Sequence, residues 1–156
     1  MKTRKITSLY KLVVSIVIFF VLLSGCVPNE TMTLLDAEVS GVKLSISKGL
    51  GGMNEDILTS FTDQHAINVF EKSITTAVHK PGKVKDDPPQ YDVMVEYEED
   101  KDGGELPTHG MHLWLGQENE PSTFIYIGDD VTYETTIQVT NELRQLIQVA
   151  IKKEHL

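Results

Sequence analysis

Cys26 is the only cysteine in this 156-residue chain, and it follows Ser24 and Gly25, two small residues that leave the backbone open to an enzyme. A thiol offers a soft nucleophile for group transfer, and Cys26 has no second cysteine with which to form a disulfide. The other chemistry-bearing stretches are polar. Glu96 to Glu105, reading EYEEDKDGGE, gathers carboxylates around Gly103 and Gly104. A calcium loop places acids at alternate positions, glycine at the sixth and a bidentate Glu at the twelfth. Counted from Glu98, Asp100, Asp102 and Gly103 fit that pattern, but the twelfth position is His109, which cannot supply a carboxylate. A hairpin turn at Asp102-Gly103-Gly104 accounts for the same residues.

His109 and His112 raise zinc, yet on a strand a spacing of three puts them on opposite faces and no third ligand is indicated. His65 and His79 are too far apart for a metal pair one helical turn apart. The glycine-rich stretch Gly49 to Glu55 lacks the Lys-Ser/Thr ending of a phosphate-binding loop and reads as a flexible turn. No G-x-S-x-G or similar setting singles out a nucleophile poised by a base. No catalytic residue, metal or cofactor is therefore expected, and the chain reads as a non-enzyme.

What precedes Cys26 gives the thiol its purpose. MKTRKITSLYK carries Lys2, Arg4, Lys5 and Lys11 and no acid, and Leu12 to Leu23 is uncharged. A basic start followed by an apolar run is the pattern of an export signal, and the run falls short of the roughly 20 apolar residues that a membrane-spanning helix needs. Leu23-Ser24-Gly25-Cys26 resembles the lipobox of bacterial lipoproteins. That resemblance implies a diacylglyceryl group on Cys26, cleavage before it, and an extracytoplasmic domain held at the cell membrane by lipid. Two acyl chains make such attachment effectively stable, whereas one gives only reversible binding.

The expected organisation is a signal peptide over 1–25, the lipidated cysteine and a tether over 26–37, and a single domain over 38–156. Fully extended, the tether reaches on the order of 35 to 40 Å. Removing the signal takes away four of the 14 basic residues and leaves all 23 acids, a formal charge of −13. Such a surface is repelled by phosphate backbones and by anionic headgroups, so nucleic acid is excluded as a partner and the lipid alone holds the membrane.

The domain must position its polar stretches on ordinary elements. Val42, Leu44 and Ile46 alternate with Lys43, Ser45 and Ser47, and a second short strand spans Asp56 to Phe61. Ile67, Phe70, Ile74 and Ala77 share one helical face, capped by Thr62 or Asp63 and ended by Pro81-Gly82. Tyr91, Val93, Val95 and Tyr97 form a strand whose hairpin partner is GMHLWLG, with Met111, Leu113 and Leu115 on one side and His112 and Trp114 on the other. STFIYIG and VTYETTI join through Gly128-Asp129-Asp130. A closing helix starts after Thr140 or Asn141 and carries Leu143, Leu146, Ile147 and Ala150 on one face. The order β-β-α-β-β-β-β-α predicts an α+β domain, two helices packed on an antiparallel sheet. Trp114 is then either a binding platform on an open face or a core residue beneath a helix.

SFTDQHAINVFEKSITTAVHKPGKV, PPQYDVMVEYEED, MHLWLG and GDDVTYETT resemble the successive blocks of the YhfM-like domain of small lipoproteins from spore-forming Gram-positive bacteria, over roughly Val39 to Ile151. The resemblance implies the lipid anchor and the α+β fold, and brings no catalytic residue with it. The expectation is a lipid-anchored binding module of the cell envelope, whose partner is an envelope protein or wall component met through a surface around Trp114 or Tyr126. The rival expectation is a small-ligand or cation-binding lipoprotein that uses the acidic turn 96–105.

Overall fold

The computed structural model describes residues 30–154; Leu23, Ser24, Gly25 and Cys26, with the rest of the expected signal peptide, lie outside the described residues. Within them the chain forms β1 (Val39–Ile46), β2 (Ile57–Phe61), α1 (Gln64–Thr75), β3 (Val78–Lys80), β4 (Tyr91–Tyr97), β5 (His109–Trp114), β6 (Thr123–Tyr126), β7 (Thr132–Glu134) and α2 (Ile137–Glu154). The strands make one seven-stranded sheet in the order β2-β1-β4-β5-β6-β7-β3, with every neighbouring pair antiparallel. The α+β class and the order of elements are as expected, with one short strand, β3, added after the first helix.

Both helices lie on one face, where alternation along the strands supplies the apolar side chains. Val42 and Leu44 of β1, Val93 and Val95 of β4, Met111 and Leu113 of β5 and Phe124 of β6 are buried there with Phe70 and Ile74 of α1 and Leu143 and Ile147 of α2. Asp63 caps α1, its carboxylate accepting the Ala66 N–H at 3.0 Å. The helix ends at Thr75 and does not continue to Pro81. Thr75, Thr76 and Val78 are β-branched, and from Val78 the backbone is taken up by β7, Val78 opposite Glu134 and Lys80 opposite Thr132. His79, expected at a helix end, is thus a strand residue.

α2 begins earlier than expected, at Ile137, because Thr136 Oγ1 accepts the Val139 N–H at 3.3 Å and takes the capping place. Thr140 lies inside the helix. Its hydroxyl is turned to the preceding loop, where it accepts the Ser122 N–H at 2.6 Å and meets Thr135 Oγ1 at 2.7 Å.

The segment expected to be a free tether is docked wherever it is described. Thr31 bridges to Val78, Met32 is 2 % exposed and donates to Ala77 O, and His79 N donates to Glu30 O at 2.7 Å. The segment then crosses the end of the helix-covered face, where Thr33 meets Tyr126 and Leu35 meets Tyr97. It closes the β3 edge of the sheet and leads directly into β1.

Candidate functional site

On the sheet face away from the helices, cross-strand neighbours Ser45, Asp92, His112 and Ile125 form a row across β1, β4, β5 and β6. Asp92 is 0 % exposed and His112 2 %. His112 Nδ1 lies 2.8 Å from Asp92 Oδ1, and Asn54 N donates to Asp92 Oδ2 at 2.8 Å. His112 Nε2 faces the Gly51 N–H at 3.5 Å, so the tautomer protonated at Nδ1 satisfies both of its contacts. The glycine-rich loop is therefore a cover fastened over a buried carboxylate–imidazole pair. Asn54 adds a second fastening, Nδ2 donating to Ile46 O at 2.8 Å. Gly49 and Gly51 adopt φ of 108° and 156°, values that suit glycine in a loop folded this tightly.

A carboxylate holding an imidazole is half of a nucleophile-activating arrangement. Here the imidazole's far nitrogen is met by backbone, and Ser45, whose buried hydroxyl has no partner among the described residues, stands on the Asp92 side. Both imidazole nitrogens are engaged within the fold, and the pair holds the loop. His112, set on the Trp114 side of its strand by the sequence, is buried in the middle of the sheet.

Trp114 belongs to the same face and is 2 % exposed, its Nε1 donating to Asp87 O at 2.7 Å. The expected open platform at Trp114 is absent, because the loop between β3 and β4 covers it. Tyr126 is half-buried at the end of the helix-covered face, in a row of rings running Tyr97, His109, Tyr126, Tyr133, His79, with centroids 5.6 to 6.2 Å apart. Its hydroxyl accepts the Thr33 N–H at 2.9 Å and donates to Thr33 O. Tyr97 OH is 2.6 Å from His109 Nδ1 and accepts the Leu35 N–H at 3.3 Å. Burial pushes the Tyr97 and Tyr133 phenols above their ordinary values and the His109 imidazole below its own. The polar ends of Tyr97 and Tyr126 thus bind the docked N-terminal segment.

The acidic turn is built around Asp100. Its Oδ1 accepts the N–H groups of Asp102 at 2.9 Å and Gly104 at 2.7 Å, and its backbone closes the turn with Gly103 and Gly104. Gly103 has φ of 78°, which explains the glycine there. Asp100 thus spends its inner oxygen on its own backbone. Among the described residues no three His, Cys, Asp or Glu side chains converge as a metal site.

A separate depression lies at the end of the strands where β4 starts and β5 ends. It is an open cleft of about 670 Å³ between the β5–β6 loop and α2, lined by Gln90, Tyr91, Gln117, Asn119, Asn141 and Gln148 together with Arg144. Arg144 builds this cleft. Its Nε donates to Gly116 O at 2.8 Å, one terminal nitrogen donates to Asn141 Oδ1 at 2.8 Å and the other to Gln117 O. Ser122 Oγ accepts the Gly116 N–H at 3.1 Å, and a side chain on Gly116 would strike the Glu120 and Pro121 carbonyls. Tyr91 packs against the edge of the core beside its cross-strand partner Ile46, which is 51 % exposed. Desolvation raises the Tyr91 phenol above its ordinary value. None of these residues stood out in the sequence, because the cleft is assembled from three separate segments of single polar residues.

The family model of the YhfM protein matches residues 44–153. The chain belongs to the YhfM family. Comparison with curated proteins found no match. Among solved structures, the chain is similar to a thioesterase-like protein from Clostridium sporogenes ATCC 15579, at 14 % identity and a TM-score of 0.54, over 73 % of this chain and 97 % of that one. At that identity the likeness is one of fold. The matched YhfM region runs from β1 into α2, so it takes in both the Asp92–His112 pair and the cleft.

Proposed function

We propose that this YhfM family protein is a lipid-anchored, extracytoplasmic binding module of the cell envelope, held at the membrane through Cys26, without catalytic activity. Its partner is a wall component or an envelope protein, received at the cleft between the β5–β6 loop and α2. The observation that carries the binding reading is the cleft itself: an open depression walled by carboxamides and braced by Arg144. A second support is that the carboxylate–imidazole pair is sealed beneath the Gly49–Gly52 loop, away from any substrate. The anchoring reading rests on the basic start, the apolar run and the lipobox-like Leu23-Ser24-Gly25-Cys26. Among the described residues no helix is long and apolar enough to cross a membrane.

Because Glu30 and Thr31 are docked on the domain, the chain from Cys26 to Glu30 can span at most roughly 13 Å, so the anchored domain rides close to the bilayer. The cleft lies at the other end of the strands from the Thr33 and Leu35 contacts and faces away from that attachment. For the acidic turn as a ligand site, the bonds of Asp100 to its own backbone leave its outer carboxylates facing solvent.

Cys26→Ala should abolish acyl labelling and leave an unprocessed precursor. Unchanged labelling would overturn the anchoring reading. A photo-crosslinker at Asn119 should capture one dominant envelope component, whereas one at Ser60, on the β2 edge, should not. Equal, diffuse capture from both positions would sink the cleft as the binding surface.

A further inference from the structure

The carboxamides of the cleft point to the chemistry of what it holds. Gln90, Gln117, Asn119, Asn141 and Gln148 each carry a group that both donates and accepts hydrogen bonds. Gln90 Oε1 accepts the Leu115 N–H at 2.7 Å and Asn141 Oδ1 accepts from Arg144 at 2.8 Å, and among the described residues the NH₂ ends of these two carboxamides have no partner. A ligand rich in hydroxyl or acetamido groups matches such a wall, because those groups also donate and accept. An anion is a poorer match. The one cationic group, Arg144, spends its fork on Gly116 O, Gln117 O and Asn141, Glu118 stands at the rim, and the chain as a whole is acidic. A cation would find a single carboxylate.

Tyr91 lines the same cleft, on the sheet face that carries the core. The negative face of an aromatic ring favours the partly positive C–H groups on one side of a sugar ring. The cleft is open to solvent, which suits a segment of a chain more than an enclosed small molecule. We infer that the cleft binds a neutral saccharide chain, stacking one sugar on Tyr91 and gripping its hydroxyl and acetamido groups with the Gln90, Asn141 and Gln148 carboxamides. This rests on the reading of the protein as a binding module and names the ligand class of that same cleft. Arg144 is the positioning residue that holds the loop and Asn141 in place.

The test is a titration of the isotope-labelled full chain in detergent micelles with the tetrasaccharide of N-acetylglucosamine, followed by amide NMR. Saturable shifts at millimolar sugar, confined to residues 90–91, 115–119 and 141–148, are expected. Tyr91→Phe should keep the affinity, and Tyr91→Ala should lower it by about tenfold or more, the loss typical of a central aromatic contact. Gln148→Ala, on the exposed face of α2 where alanine suits the helix, should weaken binding several-fold without changing the fold. No saturable shifts, or equal affinity in wild type, Tyr91→Ala and Gln148→Ala, would overturn the saccharide assignment. So would saturation of the same residues by an extended uncharged peptide and not by the sugar. In either case single-component capture from Asn119 in cells would leave the binding-module reading standing, while diffuse capture there would remove it independently.

Discussion

On one face of the sheet, Leu44, Val93, Met111, Leu113 and Phe124 meet Phe70, Ile74, Leu143 and Ile147 of the two helices. On the other, Asp92, His112 and Trp114 are buried under loops alone, the first two beneath the glycine-rich loop and Trp114 beneath the segment through Asp87. Both faces are buried at their centres, yet they are secured differently. The helix-covered face is held by apolar area, which is non-directional and tolerates rearrangement of neighbours. The loop-covered face is held by a few directed bonds to groups that would be costly to bury unpaired. A loop has no continuous apolar stripe to offer, so a carboxylate that accepts backbone N–H groups does the fastening there. The lesson concerns where each face is vulnerable: on the first, volume; on the second, pairing.

Removing volume from the helix-covered face should have the largest effect. Phe70 is 0 % exposed and touches Phe61 with ring centroids 5.0 Å apart, so Phe70→Ala should cost about 3 to 5 kcal/mol in denaturant unfolding. A cost below about 1 kcal/mol would show that the helix layer contributes little and would break the comparison. Next is the pairing on the other face. His112→Leu alone strands the Asp92 carboxylate and should cost roughly 3 kcal/mol, with faster hydrogen exchange at Gly51 and Asn54. The double change Asp92→Val with His112→Leu should recover part of that loss, since replacing both partners is milder than removing one. If the double variant is as unstable as the sum of the singles, the pair is not what fastens the loop.

Tyr126→Phe should cost about 1 kcal/mol and should raise hydrogen exchange at Thr33 and Met32 while leaving Gly51 protected. That outcome would separate the docked N-terminal segment from the loop-covered face as an independent element. The smallest effect is a pH dependence at His109, whose pKa is pushed below its ordinary 6.5 by burial. Because the unfolded chain takes up this proton first as pH falls, the contribution is present above about 6.5 and is lost as pH drops through the folded value. The melting temperature should therefore decline slightly more steeply below that pH in wild type than in His109→Gln. Identical slopes would place the Tyr97–His109 contact outside the stability of this end of the sheet.

Much of the domain was legible in the residues themselves. Alternation marked β1, β4 and β5 because one face of each is covered by helices, and a period of two follows directly from the pleat. Thr62 and Asp63 were the two caps on offer for α1, and Asp63 takes the place, because a short carboxylate beside a free N–H is a local matter. β3 was not legible: Val78–Lys80 continues a helical pattern, and its pairing partner Thr132–Glu134 lies far along the chain. Nor was the burial of Asp92 and His112, since a polar residue in a strand reads as solvent-facing unless its distant loop is known. Trp114 was open to either reading, and the Asp87 carbonyl that settles its burial comes from a segment with no regular period.

The sequence by itself determined the α+β class, the alternation along the strands, the acidic balance and the lone thiol behind an apolar run, because each depends on spacing or composition within a short stretch. Only the tertiary structure decided that residues 31–37 dock, that the glycine-rich loop is fastened to a buried pair, and that Gln90, Tyr91, Asn119, Asn141 and Gln148 share one cleft. Those features depend on contacts between segments far apart in the chain. Such contacts are fixed when the sheet is assembled and leave no period in the order of the residues.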